Sequence, residues 1–397
     1  MNDRFNGSFT QQEPIPDDAI EAALTVLRHG RLHRYNVEAG ETSQVAELEE
    51  EFAKFVGAKY CVAVASGGYA MATALRAAGV AHGDIVLSNA FTLAPVPGAI
   101  ASIGATPVLV EVAPDLTIDL GDLKAKIQSS AAKTLLLSHM RGHICDMDRL
   151  MDICNSAGVQ VIEDCAHTMG ASWGGVASGR HGLAACYSSQ TYKHLNSGEG
   201  GLLISDDSNL MARATLLSGS YMLYERHGAT PPAQAFERVK YEMPNISGRM
   251  DNLRAAILRP QLRHLKAQCA AWTERYQTIE AGLRGTPRLT IIKRAQAEEF
   301  VGSSIQFLLA GWPPQAVQNV ISRCAARGVE LKWFGAAEPA GFTSKFDAWR
   351  YFDPGPLPQT EAVLAGLLDM RIPLTFSLAD CAQIADIISA EVTEAGK

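Results

Sequence analysis

Hydrophobic positions in the first half of the chain fall in short runs: CVAVA (61–65), DIVLS (84–88), PVLVEV (107–112), TLLLSH (134–139), VQVIED (159–164), AACYSS (184–189) and GLLIS (201–205). Most of the gaps between them carry apolar residues at helical spacing, at 69–79, 94–104, 119–130 and 146–158. Near-continuous apolar strands alternating with amphipathic helices predict a mostly parallel seven-stranded sheet covered by helices on both faces, a three-layer α/β unit. In such a sheet, ligands bind at the carboxyl ends of the strands.

The pattern changes elsewhere. Residues 44–56 (QVAELEEEFAKFV) have helical spacing, stopped by Gly57. Residues 218–247 are polar, aromatic and proline-bearing, without strand character; a loop of that length is usually functional or held by a partner. Helical spacing resumes over 249–282, and 300–331 and 366–395 read as a smaller α+β unit. The expected division is a large domain at 1–260, with segment 1–43 shaping its site, and a small C-terminal domain at 261–397.

The 397 residues are 47% hydrophobic and 19% charged, enough apolar material for two cores. A formal charge of −7 and the lack of a long Lys/Arg run disfavour a nucleic-acid or anionic-membrane surface. Residues 1–10 are polar and no run suits a membrane helix, so a cytoplasmic protein is expected. The eight cysteines form no C-x-x-C pair and are expected as reduced, mostly buried thiols, with no metal site.

Candidate chemistry sits at the strand ends. After the first strand, Ser66-Gly67-Gly68 leads into a helix; this is either a structural turn or a phosphate cradle built from free N–H groups. After the fifth strand come Asp164 and, three residues on, His167. The aspartate is either a helix cap or an acid that holds a ligand cation. After the sixth strand come Ser188, Lys193 and the turn Gly198-Glu199-Gly200-Gly201, and a lysine in that place is either an ordinary surface residue or a buried amine. Taken together, a phosphate cradle, a strand-end carboxylate and a lysine beyond the next strand are the anchors of pyridoxal 5'-phosphate: N–H donors for the phosphate, a carboxylate to keep the pyridine protonated, and an amine for its aldehyde.

The stretches Ile162–Ala171 (IEDCAHTMGA) and Ser188–Gly201 (SSQTYKHLNSGEGG), with Arg249-Met250 and LPQTE (357–361), resemble the DegT/StrS-type aminotransferases, which are fold-type I pyridoxal-phosphate enzymes. The resemblance implies that Lys193 forms the Schiff base, Asp164 pairs with the pyridine nitrogen, and His167 lies near the ring's 3-oxygen. It also implies that Gly67, Gly68 and Ser188 hold the phosphate. The position of the ring-stacking aromatic is Leu93, with Phe91 as the other candidate. Asn245 or Ser247 takes the place of an asparagine lent across a dimer, so a homodimer with shared active sites is implied.

A cousin branch of the family has histidine in place of the lysine and dehydrates sugars; here His194 follows the lysine and does not replace it. The expectation is therefore amino transfer from glutamate or glutamine to a keto sugar or related cyclic ketone. A lyase or dehydratase of the same fold, or a non-catalytic cofactor-binding paralogue, are the alternatives. Arg31, Arg34, Arg226 and His227, in segment 28–43 and the 218–247 loop, could meet an acceptor phosphate or carboxylate, or be ordinary loop charges.

Overall fold

The computed structural model describes residues 4–396. All seven apolar runs form strands: β1 (Tyr60–Val64), β2 (Ile85–Asn89), β3 (Thr106–Val110), β4 (Thr134–Ser138) and β5 (Gln160–Asp164) come first. Then, beyond a small hairpin of β6 (Ser172–Trp173) and β7 (Val176–Ala177), come β8 (Ala184–Ser188) and β9 (Gly201–Ser205). The sheet order is β1-β9-β8-β5-β4-β2-β3, with β9 antiparallel to both neighbours and the other pairs parallel.

Helices cover both faces because the strands bury both sides. In β1, Val62 and Val64 face α3 (Gly67–Ala77), α4 (Pro95–Ser102) and α7 (Ser208–Ser218). The alternate residues Cys61 and Ala63 face α2 (Gln44–Val56) and α9 (Asn252–Leu283). This two-residue alternation is the strand pleat. Each fully buried Leu, Ile or Val contributes about 1.5–3 kcal/mol by leaving water. Helices α5 (Leu120–Ser129) and α6 (Met147–Ala157) complete the cover beside β4 and β5.

A second, four-stranded antiparallel sheet comprises β10 (Thr290–Ile291), β12 (Ser304–Leu308), β13 (Lys332–Trp333) and β14 (Leu367–Arg371). It packs on α10 (Pro314–Ala326), α12 (Leu378–Ala395) and the C-terminal half of α9; Phe5 and Phe9, from the N-terminal segment, share this core. Helix α9 carries Pro260 inside it and passes from one sheet to the other. Ser218 ends α7, and residues 219–247 hold only a 3-10 turn, Tyr224–Arg226, and the five-residue α8 (Ala233–Glu237). All eight cysteines are free, and all but the half-buried Cys269 are buried. Among the described residues, no helix is long and apolar enough to cross a membrane.

Candidate active site

The register of the large sheet assembles the site. Val64, Gly201 and Ser188 stand in one row across β1, β9 and β8. This presses the turn before α3 against the end of β8, and two glycines allow the approach. A Cβ on Gly67 would stand 2.9 Å from Ser188 Cβ, and one on Gly201 only 2.3 Å from the Ser66 carbonyl oxygen. The Ser66 hydroxyl caps α3 by accepting from Tyr69 N at 3.1 Å. The N–H groups of Gly67 and Gly68, in the first turn, have no intrahelical acceptor and are free for a ligand.

At the end of β5 the pleat separates two carboxylates. Glu163 faces inward and is saturated: His139 Nε2 at 3.0 Å, Gly179 N at 2.9 Å, His181 N at 2.9 Å and Gly182 N at 2.7 Å. It is therefore structural, and although burial pushes it up, His139 and the Gly182 amide hold it below the usual carboxylate range. Asp164 faces the other way. Its Oδ2 accepts from Ser138 Oγ at 2.9 Å, and that hydroxyl in turn accepts from Thr92 Oγ1 at 2.8 Å. Its Oδ1 accepts from Ala166 N at 3.1 Å. A relay from the ends of β2 and β4 thus fixes the aspartate's orientation.

Lys193 Nζ lies 2.7 Å from His167 Nε2. Burial, then the neighbouring Arg141, outweigh the attraction of Asp164 and push the lysine down to about 7. Burial and the same lysine keep His167 well below its ordinary value, so it is neutral. His194, next in sequence, is structural: its ring nitrogens sit 2.9 Å from Met169 O and 2.9 Å from Ser303 Oγ.

A cavity of about 630 Å3 opens above these groups and is walled by both sheets. Gly67, Gly68, Leu93, His167, Ser188 and Lys193 all line it. Phe91 does not take the place at the ring: it is 1% exposed and packs edge-on against Phe334 with centroids 5.0 Å apart. Asn245 and Ser247 are absent from the cavity of their own chain; Asn245 Oδ1 accepts from Ser247 N at 3.0 Å on the loop. Residues 28–43 do not line it either, whereas Phe9 and Thr10 do.

None of the four loop cations lines the cavity of its own chain. Arg34 is 1% exposed and forms a fork on Glu49, 2.9 Å to each oxygen, while His227 lies 2.9 Å from Arg34 and 2.8 Å from Tyr35 Oη. Arg31 pairs with Glu38 and Glu41, and Arg226 donates to Tyr35 O. A buried network of Arg34, Tyr35, Glu49 and His227 ties segment 28–43 to the 218–247 loop. The cations in the cavity are Arg141, Lys332 and Arg371 instead. Arg141 follows β4, so the strand-end rule could have found it; Lys332 and Arg371 arrive on the second sheet, with no local signal.

The sequence profile of the DegT/DnrJ/EryC1/StrS aminotransferase family matches residues 17–389. The chain belongs to this family. It is 32% identical over 262 residues to the L-glutamine:scyllo-inosose aminotransferase of Streptomyces griseus, covering 66% of this chain and 61% of that one. It is also 32% identical over 262 residues to the UDP-2-acetamido-2-deoxy-3-oxo-D-glucuronate aminotransferase of Pseudomonas aeruginosa, covering 66% and 67%. The matched stretch thus spans only about three-fifths of the first relative's length. Among solved structures, DesV of S. venezuelae, in complex with a ketimine intermediate, superposes with a TM-score of 0.78 at 25% identity, over 96% of this chain and 94% of that one. The fold is thus shared with that structure over nearly the whole of both chains.

The cavity suits the family's cofactor on its own geometry. A glycine that no side chain could replace faces a serine hydroxyl at a helix start, an oriented carboxylate follows on β5, and an amine of lowered basicity stands near both.

Proposed function

We propose that this chain is a pyridoxal-phosphate-dependent aminotransferase, a cytoplasmic homodimer with shared active sites. It carries an amino group from an amino acid, glutamate or glutamine, to a keto sugar or related cyclic ketone. Family membership and the names of the relatives, an inosose and an oxo-glucuronate aminotransferase, support this. The observation that carries it is the amine of Lys193, lowered to about 7 in a cavity it shares with Gly67, Gly68 and Ser188, with Asp164, buried and outside the cavity lining, close enough to act on its charge. Residues 1–260 would hold the cofactor, and 261–397 would close the substrate side.

Pyridoxal phosphate, when bound, supplies an electron sink for the pair left when the donor's α-carbon loses its proton. Gly67, Gly68 and Ser188 would hold the phosphate, Asp164 would hold the ring nitrogen protonated, His167 would lie by the 3-oxygen, and Leu93 would pack on the ring face. Asn245 or Ser247 of the second subunit would complete the phosphate site. Lys193 Nζ would carry the cofactor covalently. Freed by the donor, it takes the proton from the donor's α-carbon, and on the return path it delivers one to the acceptor's former carbonyl carbon. An amine lowered to about 7 can take up and give back a proton near neutral pH. The donor leaves as a 2-oxo acid and the ketone leaves as an amine.

Borohydride reduction of the loaded protein, followed by peptide mapping, should place a pyridoxyl group on Lys193. Added glutamate should abolish the visible absorbance of the lysine-bound cofactor. An unmodified Lys193 peptide overturns the site. A ketone product that has lost water and gained no nitrogen overturns the reaction in favour of a dehydratase.

A further inference from the structure

Three cations that the proposed amino transfer leaves without a role converge on the cavity: Arg141, Lys332 and Arg371. Among the described residues, Arg141 is the one of the three that is ion-paired. One guanidinium nitrogen lies 3.0 Å from Asp369 Oδ2, without the alignment of a hydrogen bond, and Nε is buried without a partner; the side chain is 10% exposed. Arg371 donates to neutral oxygens, Phe9 O at 3.2 Å and Gln12 Oε1 at 2.5 Å, and lies over the Tyr192 ring at 4.5 Å. Among the described residues, Lys332 Nζ is ion-paired with no carboxylate and sits 5.3 Å from the Phe342 ring centre. Glu199 and Glu330 are the carboxylates lining the cavity. Burial lowers both Lys332 and Arg371; Arg141 adds to this, against attraction from Asp369 on the lysine and from Glu13 on the arginine. Like charges gathered in a partly desolvated wall are costly until an anion joins them.

The cofactor phosphate does not fill this role. The cradle lies at the β1 and β8 ends, whereas Arg141 follows β4, on the far side of β5 and Asp164. Two strand spacings separate β8 from β4, roughly 10 Å. With one amine at position 193, donor and acceptor must occupy the same cavity in turn. An amino-acid donor brings a carboxylate to the cationic wall. The wall has the same charge in the second half of the cycle, and a neutral ketone would leave Lys332 and Arg371 without an anionic partner within ion-pair distance among the described residues.

We propose that Arg141, Lys332 and Arg371 form an anion-binding wall, and that the acceptor ketone carries its own anionic group, a carboxylate or a phosphate, to meet it. The proposal rests on the aminotransferase reading for the words donor and acceptor; the wall itself is read by binding. Calorimetric titration of the cofactor-loaded protein compares 3-oxocyclohexane-1-carboxylate with its methyl ester, and fructose 6-phosphate with fructose. The anionic member of at least one pair should bind about 10-fold or more tightly, as expected for charge-assisted hydrogen bonds. The pair with the larger ratio identifies the anion. Added sodium chloride should weaken the anion and leave its neutral partner unchanged. Lys332→Gln and Arg371→Gln should each cut the ratio, with the neutral partner's affinity unaltered.

Equal affinity within both pairs, or no heat from either anion, overturns the proposal, and this comparison needs no variant to fold. A ratio that survives both substitutions overturns the assignment to these residues. If Arg371→Gln weakens only L-glutamate, measured by its spectral change, the wall serves the donor alone and the claim about the acceptor fails. The glutamate and borohydride experiments use no ketone, so failure of the amino-transfer reading is seen separately.

Discussion

At the scale of single residues, the environment of Lys193 decides what the amine can do. Arg141 is the first cation that disfavours its charged form, after burial itself. Arg141→Gln should therefore move the lysine upward from about 7, toward its ordinary value. The rate at which Lys193 condenses with added pyridoxal, followed against pH, would read this. The expected midpoint is near neutrality in the native protein and higher in the variant; an unmoved midpoint would show that burial alone sets it. Leu93 offers a second test, since it lines the cavity with an aliphatic face. Leu93→Tyr places an aromatic ring there and should slow cofactor release by about 2- to 10-fold, the worth of an aromatic stack. Dialysis against buffer without cofactor, monitored by visible absorbance, measures it. Much of this was legible in the sequence. Lys193, Asp164, His167, Gly67 and Ser188 each stand within a few residues of a strand end, so a local pattern placed them together. The pairing of Lys193 with His167 also needed the fold, since 26 residues separate them.

At the scale of elements, the network of Arg34, Glu49, Tyr35 and His227 joins α2 to two connecting segments that contain little regular structure. Glu49 also accepts from Ala63 N at 2.9 Å, which ties β1 to the same point. Arg34 and His227 hold the Glu49 carboxyl far below its usual range despite complete burial. Removing the carboxylate strands a buried guanidinium. Glu49→Ala should cost about 3–5 kcal/mol, seen as a lower urea midpoint. The pH dependence has one sign. Glu49 has a depressed value in the fold, so its contribution is complete above 4.5 and is lost as pH falls below it. His227, held neutral by burial and by Arg34, adds a loss beginning below 6.5, where the unfolded chain takes up a proton that the fold does not. Native stability should thus fall on acidification from about 6.5, and the Glu49→Ala variant should lose the steeper part of that fall. Sequence spacing could not reveal this cluster, because Arg34 and His227 lie 193 residues apart and each reads alone as a loop charge.

At the scale of the whole molecule, the cavity is a product of two sheets, and the 218–247 loop leaves apolar side chains outside. Tyr221, Met222, Tyr241 and Ile246 are 55%, 54%, 84% and 53% exposed. Such a cluster fits burial against a second copy of the chain. Light scattering should give about twice the mass of 42.6 kDa. If Asn245 or Ser247 serves the neighbouring site, a double Asn245→Ala/Ser247→Ala variant and a Lys193→Ala variant, each inactive alone, should regain activity when mixed and allowed to exchange subunits. No recovery, with exchange shown by mass spectrometry, would confine every site to one chain.

The sequence by itself determined the large sheet, because its strands are buried on both faces and write that burial into short apolar runs. For the same reason it determined the residues at the strand ends: Asp164 and Ser188 close their strands, and Gly67, His167 and Lys193 follow within five positions. Only the tertiary structure decided which cations face the substrate. Arg141 follows a strand of the large sheet whereas Lys332 and Arg371 lie on the second, and Arg34, Arg226 and His227 are engaged by partners on other elements, Arg31 by Glu38 and Glu41 of its own segment. Periodicity reports a residue's relation to its own helix or strand. Whether a charge meets a ligand or a carboxylate depends on packing between elements, which a local pattern does not carry.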